Sequence, residues 1–213
     1  MLRQGRLIAV MASFLIGCAV LASHSRAAGA KEDRCEGTRF ILMIGRARYT
    51  TNGVPGCPNG GLLKGTDKRD KLAGQAGEDK VDGLGAADNL WGGFGSDVMY
   101  GGTGDDFLTG STVNEAAHDK SNDVLHGGPG RDSVNGGWGD DVLYGGDGDD
   151  VNRLYGDKGE DVLYGGDGND FLDGSLDRQR DKLYCGKGKD EYAAGKIDYV
   201  SSSCEEKVMM GRM

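Results

Sequence analysis

An aspartate recurs along the chain, mostly in steps of nine residues, and a glycine-rich segment usually precedes it. The recurring residues are Asp70, Asp79, Asp88, Asp97, Asp106, Asp123, Asp132, Asp141, Asp150, Asp161, Asp170, Asp181 and Asp190. The full pattern Gly-Gly-x-Gly-x-Asp has its glycines at Gly92, Gly93, Gly95, Gly101, Gly102, Gly104, Gly127, Gly128, Gly130, Gly136, Gly137, Gly139, Gly145, Gly146, Gly148, Gly165, Gly166 and Gly168. Such repetition indicates one chemistry that is used many times.

The residue types in this pattern favour the binding of a hard metal cation. Glycine adopts backbone angles with φ > 0 and lets carbonyl groups converge, while each aspartate adds a charged oxygen. Oxygen donors without nitrogen or sulfur suit a cation with six to eight ligands at about 2.3–2.6 Å. The pattern therefore predicts calcium ahead of magnesium or zinc.

Short strands must position these loops, because an apolar residue lies two positions after most of the aspartates. These residues are Leu72, Val81, Leu90, Met99, Leu108, Leu125, Val134, Leu143, Leu163, Leu172, Leu183 and Tyr192. The middle residue of a three-residue strand points to one face of its sheet, so these side chains are expected to form a thin core between two small parallel sheets. Two nine-residue units then make one coil of a stacked solenoid.

Residues 65–192 resemble the haemolysin-type calcium-binding (RTX) nonapeptide repeats. The resemblance implies an all-β fold, a calcium-stabilised parallel β-roll (a right-handed β-solenoid), in which calcium lies between successive loops on one edge. Carried over to this chain, one edge holds Asp70, Asp88, Asp106, Asp132, Asp150, Asp170 and Asp190. The other edge holds Asp79, Asp97, Asp123, Asp141, Asp161 and Asp181. The implied ligands are the glycines of the full pattern with the aspartates from Asp79 onwards, except Asp123 and Asp181.

The loops differ in how well they keep the glycine pattern. The loops before Asp70, Asp123 and Asp181 lack it, so weak sites are expected there. The loops before Asp79, Asp88, Asp161 and Asp190 keep it in part. The tightest sites are expected along the consecutive complete loops of one edge, which end at Asp106, Asp132, Asp150 and Asp170.

Composition and charge narrow the class of protein. The 213 residues include 40 glycines and only 7% aromatic residues, so a conventional two-layer core is not expected. A net charge of −9 argues against a nucleic-acid partner, whose phosphates would repel the chain. Disorder is the competing interpretation of an acidic, glycine-rich sequence. The regular apolar spacing favours a folded chain when calcium is present.

The first 27 residues are predicted to be a secretory signal peptide. Arg3 and Arg6 precede the apolar run 7–22, which is short for a membrane span. A secreted, extracellular protein is therefore expected, with the repeats at 63–192 between caps at 28–62 and 193–213. The segment Leu15-Ile16-Gly17-Cys18 resembles a bacterial lipoprotein cleavage box, so a lipid anchor at Cys18 stays an alternative.

The cysteines agree with export to an oxidising compartment. Four of the five remain once Cys18 is removed with the leader, and an even number in an exported chain indicates disulfides. The predicted pairs are Cys35 with Cys57 and Cys185 with Cys204, one near each end of the solenoid. The alternative of free thiols or a zinc site has no CxxC spacing to support it.

The sequence favours a protein that is not an enzyme. It contains no HExxH, GxSxG or phosphate-loop motif. His118 beside Asp119, with Ser111 and Ser121 nearby, is the only arrangement that resembles part of a triad, and polar loops give such arrangements by chance.

Two longer loops interrupt the repeat, at 111–121 and 175–180. Counting loops alternately places both on the edge of Asp79, Asp97 and Asp141, which leaves the other edge regular. Insertions on one face of a solenoid often mark a binding face. The alternative is that surface loops tolerate insertions at little cost.

One outer sheet face is predicted to carry an aromatic column. Its members occupy equivalent outward positions and are Tyr100, His126, Tyr144, Tyr164 and Tyr184. One interpretation is cross-strand stacking that stabilises the sheet. The other is a contact surface for a glycan, a secreted protein partner or another copy of the chain.

Overall fold

The computed structural model describes residues 40–44, 47–51, 60–111, 119–148 and 151–208. The chain divides into two compact units, 1–32 and 33–213, and the first lies outside the described residues. So do the predicted signal peptide, Cys18, Cys35, Cys57, His118 and Asp150. The described residues contain β-strands and no helix, so they include no helix that is able to cross a membrane.

Successive strands alternate between two sheets. The ten-stranded sheet contains β1 (Phe40–Ile44), β2 (Ala47–Thr51), β4 (Lys71–Ala76), β6 (Asn89–Phe94), β8 (Phe107–Thr109), β10 (Ser133–Trp138), β12 (Arg153–Lys158), β14 (Phe171–Asp173), β16 (Glu191–Ala193) and β18 (Glu206–Lys207). The eight-stranded sheet contains β3 (Leu62–Thr66), β5 (Lys80–Leu84), β7 (Val98–Tyr100), β9 (Val124–His126), β11 (Val142–Gly146), β13 (Val162–Asp167), β15 (Lys182–Lys187) and β17 (Tyr199–Val200). Two strands complete one turn, and about seven turns stack as a parallel β-solenoid.

The stacking keeps equivalent residues in register. Leu143 pairs with Leu125 on one side and with Leu163 on the other, and the same alignment holds for the residues that follow them. The nine-residue period of the sequence therefore becomes columns of like residues running across each sheet. Among the described strands only the β1–β2 pair, within the predicted N-terminal cap, is antiparallel.

The predicted core is confirmed at nearly every position. The inward residues from Leu72 to Leu183 are at most 1% exposed and form one continuous cluster. Tyr192 is an exception, because it is only partly buried and packs against the end of the cluster, while Ala193 is buried. The next strand in its sheet, β18, has only two residues and places Lys207 beside Tyr192, so Tyr192 lies where the apolar core ends. Leu154 is a core residue that the spacing from the aspartates did not predict.

The C-terminal end of the solenoid is tied by a disulfide. Cys185 and Cys204 are bonded, with their Cα atoms 5.0 Å apart, as the sequence predicted. Cys185 is buried in the core cluster, and the parallel stack continues through β17 and β18 into the predicted C-terminal cap. The bond therefore holds the last turns against the core.

Candidate metal sites

The aspartates form a hydrogen-bonded ladder along one edge of the solenoid, which we name edge A. The backbone N–H of Asp70 donates to Oδ1 of Asp88, in the following turn, at 2.6 Å. Equivalent bonds of 2.8 Å run from Asp88 to Asp106, from Asp106 to Asp132 and from Asp170 to Asp190. Each carboxylate on this edge therefore caps the turn before it.

The opposite edge, which we name edge B, carries a second ladder of the same kind. Its bonds of 2.7–2.9 Å run from Asp79 to Asp97, from Asp97 to Asp123, from Asp123 to Asp141, from Asp141 to Asp161 and from Asp161 to Asp181. Asp123 and Asp181 follow the two inserted loops and still occupy ladder positions. Loss of the glycine pattern has therefore not removed either carboxylate from the ladder.

Edge A differs from the sequence prediction between Asp132 and Asp170. Asp150 lies outside the described residues, and Asn152 occupies the ladder position. The N–H of Asp132 donates to Asn152 Oδ1 at 2.9 Å, and the N–H of Asn152 donates to Asp170 Oδ1 at 2.8 Å. This loop is two residues longer than its neighbours, so the prediction of a regular edge A was wrong. Because Asn152 Oδ1 is the acceptor, its amide nitrogen takes the position that a second carboxylate oxygen has elsewhere.

The second carboxylate oxygen points into its own loop, towards the first glycine of the pattern. A Cβ placed on Gly101 would lie 2.5 Å from Asp106 Oδ2 and 2.6 Å from the carbonyl oxygen of Gly127. A carboxylate oxygen and a carbonyl oxygen from the next turn thus converge over this glycine. The same arrangement recurs at Gly92 and Gly127.

Many of these second oxygens are buried without a hydrogen-bond partner. They include Oδ2 of Asp88, Asp97, Asp106, Asp141, Asp170 and Asp190. Burying an ionised carboxylate without a compensating charge is costly. Burial therefore raises the pKa of Asp106 to about 6, of Asp97 to about 7 and of Asp141 to about 8.

A divalent cation is the partner that these loops fit. The donors are carboxylate and carbonyl oxygens, which calcium prefers. No three His, Cys, Asp or Glu side chains converge on one point in the part of the chain that the structure describes. Backbone carbonyls must therefore complete each site, in agreement with the role that the sequence assigns to the glycines.

The second and third glycines of the pattern give the loop its shape. Gly102 and Gly104 have φ values of 105° and 130°, a region that non-glycine residues rarely adopt. In the incomplete loop before Asp88, Leu84 and Ala86 adopt φ values of 76° and 68°. An incomplete pattern therefore still forms the loop, with some backbone strain.

Replacement of the first glycine of a loop by alanine should destabilise the loop through steric overlap alone. In Gly101→Ala the new methyl group would press on Asp106 Oδ2 and on the Gly127 carbonyl, which we expect to cost about 1–3 kcal/mol of unfolding free energy. Denaturant unfolding in saturating calcium measures this loss of unfolding free energy. Gly85→Ala is the control, because its nearest atom is the rotatable Thr103 Oγ1 at 3.1 Å. Equal losses in the two variants would contradict this account.

The predicted aromatic column is present on the outer face of the eight-stranded sheet. Neighbouring rings from Tyr100 through His126, Tyr144 and Tyr164 to Tyr184 are stacked, with centroids 4.5–4.9 Å apart and planes within 11°. Lys80 lies over the Tyr100 ring, and Tyr199 leans against the ring of Tyr184. The ring faces therefore cover one another and leave mainly edges and polar groups outward, which favours the sheet-stabilising interpretation.

We expect the double variant Tyr144→Thr/Tyr164→Thr to lose about 1–2 kcal/mol of unfolding free energy, because three stacked pairs disappear while β propensity is kept. Calcium-induced folding should survive. Sedimentation and glycan-array binding of the calcium-loaded variant test the alternative of a contact surface, with Tyr155→Thr on the other sheet as the control. Loss of glycan binding or self-association in the double variant alone would show that the column is a contact surface.

Comparison with known proteins agrees with this geometry. A search of curated proteins finds no relative of the chain. The model of the RTX calcium-binding nonapeptide repeat matches four times, at residues 62–89, 82–114, 119–151 and 151–178. These repeats bind calcium ions. The matches span more than half of the chain and coincide with the loops of both edges, so the chain belongs to the RTX calcium-binding nonapeptide repeat family.

Proposed function

We propose that the chain is a secreted, non-enzymatic protein whose loops bind several calcium ions and which folds when they bind. The observation that carries this proposal is the pair of ladders of buried aspartates. Like charges recur there at the spacing of one turn, and several carboxylate oxygens have no hydrogen-bond partner. Calcium would supply the missing charge and close each loop against the next.

The surface ion pairs do not replace this charge. Arg131 with Asp105, Lys187 with Asp167 and Lys189 with Glu206 pair at exposed positions, where such contacts contribute little. None of these acidic partners belongs to a ladder. These three described ion pairs therefore leave the charge of the ladders to be neutralised elsewhere, and bound calcium would supply positive charge there.

Export is the second part of the proposal. The predicted signal peptide lies outside the described residues, and the Cys185–Cys204 disulfide supports an oxidising destination. Mass and N-terminal sequence of the mature protein separate the alternatives. Cleavage after residue 27 gives a soluble chain, whereas a lipid-modified Cys18 at the new N-terminus would show an anchored one.

Calcium titration followed by circular dichroism tests the proposed function. The β-sheet signal should appear only when calcium is present. Equal spectra with calcium and with a chelator would show that folding does not depend on the metal.

A further inference from the structure

Each inserted loop of edge B carries an aspartate that lies outside the repeat pattern. Asp119 stands four residues before Asp123, and Asp177 stands four residues before Asp181. The insertions differ in length and sequence, yet they place the two carboxylates in matching positions. This recurrence is unexpected if the insertions are only tolerated surface loops.

Regular loops show what the two carboxylates replace. The N–H of the third glycine normally donates to the backbone carbonyl of the third position in the next loop of the same edge. These bonds, of 2.7–2.9 Å, run from Gly77 to Phe94, from Gly104 to Pro129, from Gly139 to Lys158 and from Gly168 to Lys187. The acceptor in a regular loop is therefore a neutral main-chain oxygen.

In the inserted loops the acceptor is a charged side-chain oxygen. The N–H of Gly95 donates to Asp119 Oδ2 at 2.8 Å, and the N–H of Gly159 donates to Asp177 Oδ2 at 2.9 Å. The other oxygen of each carboxylate accepts a bond from the residue two positions later, Ser121 or Gln179. Both carboxylates are thus fixed in place at a loop position where the other repeats present a carbonyl oxygen.

A buried oxygen without a partner lies in the loop that Asp119 caps. Asp97 is 1% exposed, its Oδ2 accepts no hydrogen bond, and it stands two residues after Gly95. The negative charge of Asp119 also contributes to the raised pKa of the ladder carboxylates Asp97 and Asp123. Two anionic groups therefore approach one loop, and a cation would satisfy both.

The second insertion has a similar surplus of negative charge. The negative charge of Asp177 contributes to the raised pKa of Asp161 and Asp181. Asp173, the last residue of β14 and two residues before this insertion, is fully buried, and its Oδ2 accepts no hydrogen bond. Its Oδ1 accepts bonds from the backbone and the hydroxyl of Ser175.

We propose that Asp119 and Asp177 are calcium ligands, each completing a site with the ladder carboxylate of the preceding turn, Asp97 or Asp161, and with loop carbonyls. The inference rests on calcium binding by the repeats and adds two ligands that the nonapeptide pattern does not contain. Calcium affinity rises with the charge of the ligand set, so the inserted loops hold tight sites. The sequence pattern alone predicts weak ones there.

The variants Asp119→Asn and Asp177→Asn in the full chain test the proposal. Asparagine keeps one oxygen that can accept the glycine N–H, so it retains that cap and removes the charge. Its amide nitrogen cannot accept the bond from Ser121 or Gln179, so that local bond is lost as well. Asp140→Asn is the matched control, because Asp140 is exposed on the same edge and its Oδ1 accepts the Glu160 N–H at 2.8 Å. Calorimetric titration should show one calcium ion fewer in each test variant, or at least about a tenfold loss of affinity at one site. The control should match the wild type.

Terbium luminescence gives a local readout of the Asp119 site. Trp138 lies between Gly137, which packs against Ser111, and Gly139, which packs against Ser121, at the two ends of the inserted loop. Terbium, a calcium substitute, should be excited through Trp138 in the wild type and in Asp140→Asn. Asp119→Asn should lose part of that signal, because terbium in the loop that ends at Asp141 is also close to Trp138.

The outcomes separate this inference from the proposed function. Test variants that match Asp140→Asn in stoichiometry, affinity and luminescence would overturn the inference, since the two aspartates would then only cap the backbone. A wild-type chain that binds no calcium would instead overturn the proposed function. If one test variant fails to fold, the other carries the test, because Asp119 and Asp177 lie in separate insertions and cap different loops.

Discussion

Removal of calcium is expected to unfold the β-roll, and its return to restore the β-sheet signal. Aspartates of successive turns are separated by about the 4.8 Å strand spacing, at which each pair repels by about 1 kcal/mol even with the dielectric constant of water. The repulsion recurs along both ladders. A domain is typically stable by only about 5–15 kcal/mol, so the metal-free chain should not hold this fold at neutral pH.

Far-ultraviolet circular dichroism and hydrogen exchange measure the effect. Spectra in chelator should lack the sheet signal, and amides of the core strands should exchange rapidly. Magnesium is the control, because it demands a smaller octahedral site and dehydrates reluctantly. A sheet signal that persists in chelator, or that magnesium restores as well as calcium does, would contradict the expectation.

Acidification should have opposite effects on the metal-free and the calcium-loaded chain. Burial raises the pKa of Asp88 and Asp170 to about 6 and that of Asp123 and Asp161 to about 8, against 3.8 in an unfolded chain. The folded state therefore binds more protons, and the stability of the metal-free fold should rise as the pH falls from about 8 towards 4. Burial lowers the pKa of His126, so this residue destabilises the fold as the pH falls. It is a single group against many carboxylates.

Calcium binding should weaken over the same pH range, because protons compete for the ladder carboxylates. Sheet signal in chelator and calcium affinity, each measured between pH 5 and pH 8.5, test the two halves together. Acid should increase the sheet signal in chelator and reduce the calcium affinity. A metal-free chain that gains no sheet signal between pH 8 and pH 5 would contradict protonation of the ladder carboxylates in the folded state.

The general plan of the molecule could be predicted from sequence because the information is local and repeated. Short strands between loops of fixed shape leave one inward position each, so the spacing of Leu90 or Leu143 from its aspartate determines both core and register. The opposing edges follow from alternation of the loops. Pairing of Cys185 with Cys204 followed from the need to hold an end of the solenoid.

The position of Asn152 could not be read from the glycine pattern. The loop before Asp150 matches that pattern fully, yet two extra residues shift the ladder to Asn152. The apolar residue predicts the ladder position better than the glycine pattern does. Leu154 lies two positions after Asn152 and is buried, just as the other core residues lie two positions after their aspartates. The core therefore determines register where motif and core disagree.

The inserted loops show a second limit of the pattern. Gly110 and Gly174 take the first-glycine position for Asp123 and Asp181, although more than the usual four residues separate each glycine from its aspartate. Contiguous motifs do not reveal such a pairing, since it forms only when the loop closes. The roles of Asp119 and Asp177 are hidden from sequence for the same reason.

Both ladders have a polarity along the chain. The N–H of each turn is satisfied by a carboxylate from the following turn, and at the end of edge A Glu205 accepts from Asp190. A ribosome releases the amino end first, so every donor emerges before its acceptor. A growing chain is therefore always one turn short of completing its last ladder bond. At the carboxyl-terminal end, Glu205 supplies the acceptor for Asp190 from outside the repeats, next to the turn that the Cys185–Cys204 bond holds, so this turn closes without a further aspartate loop.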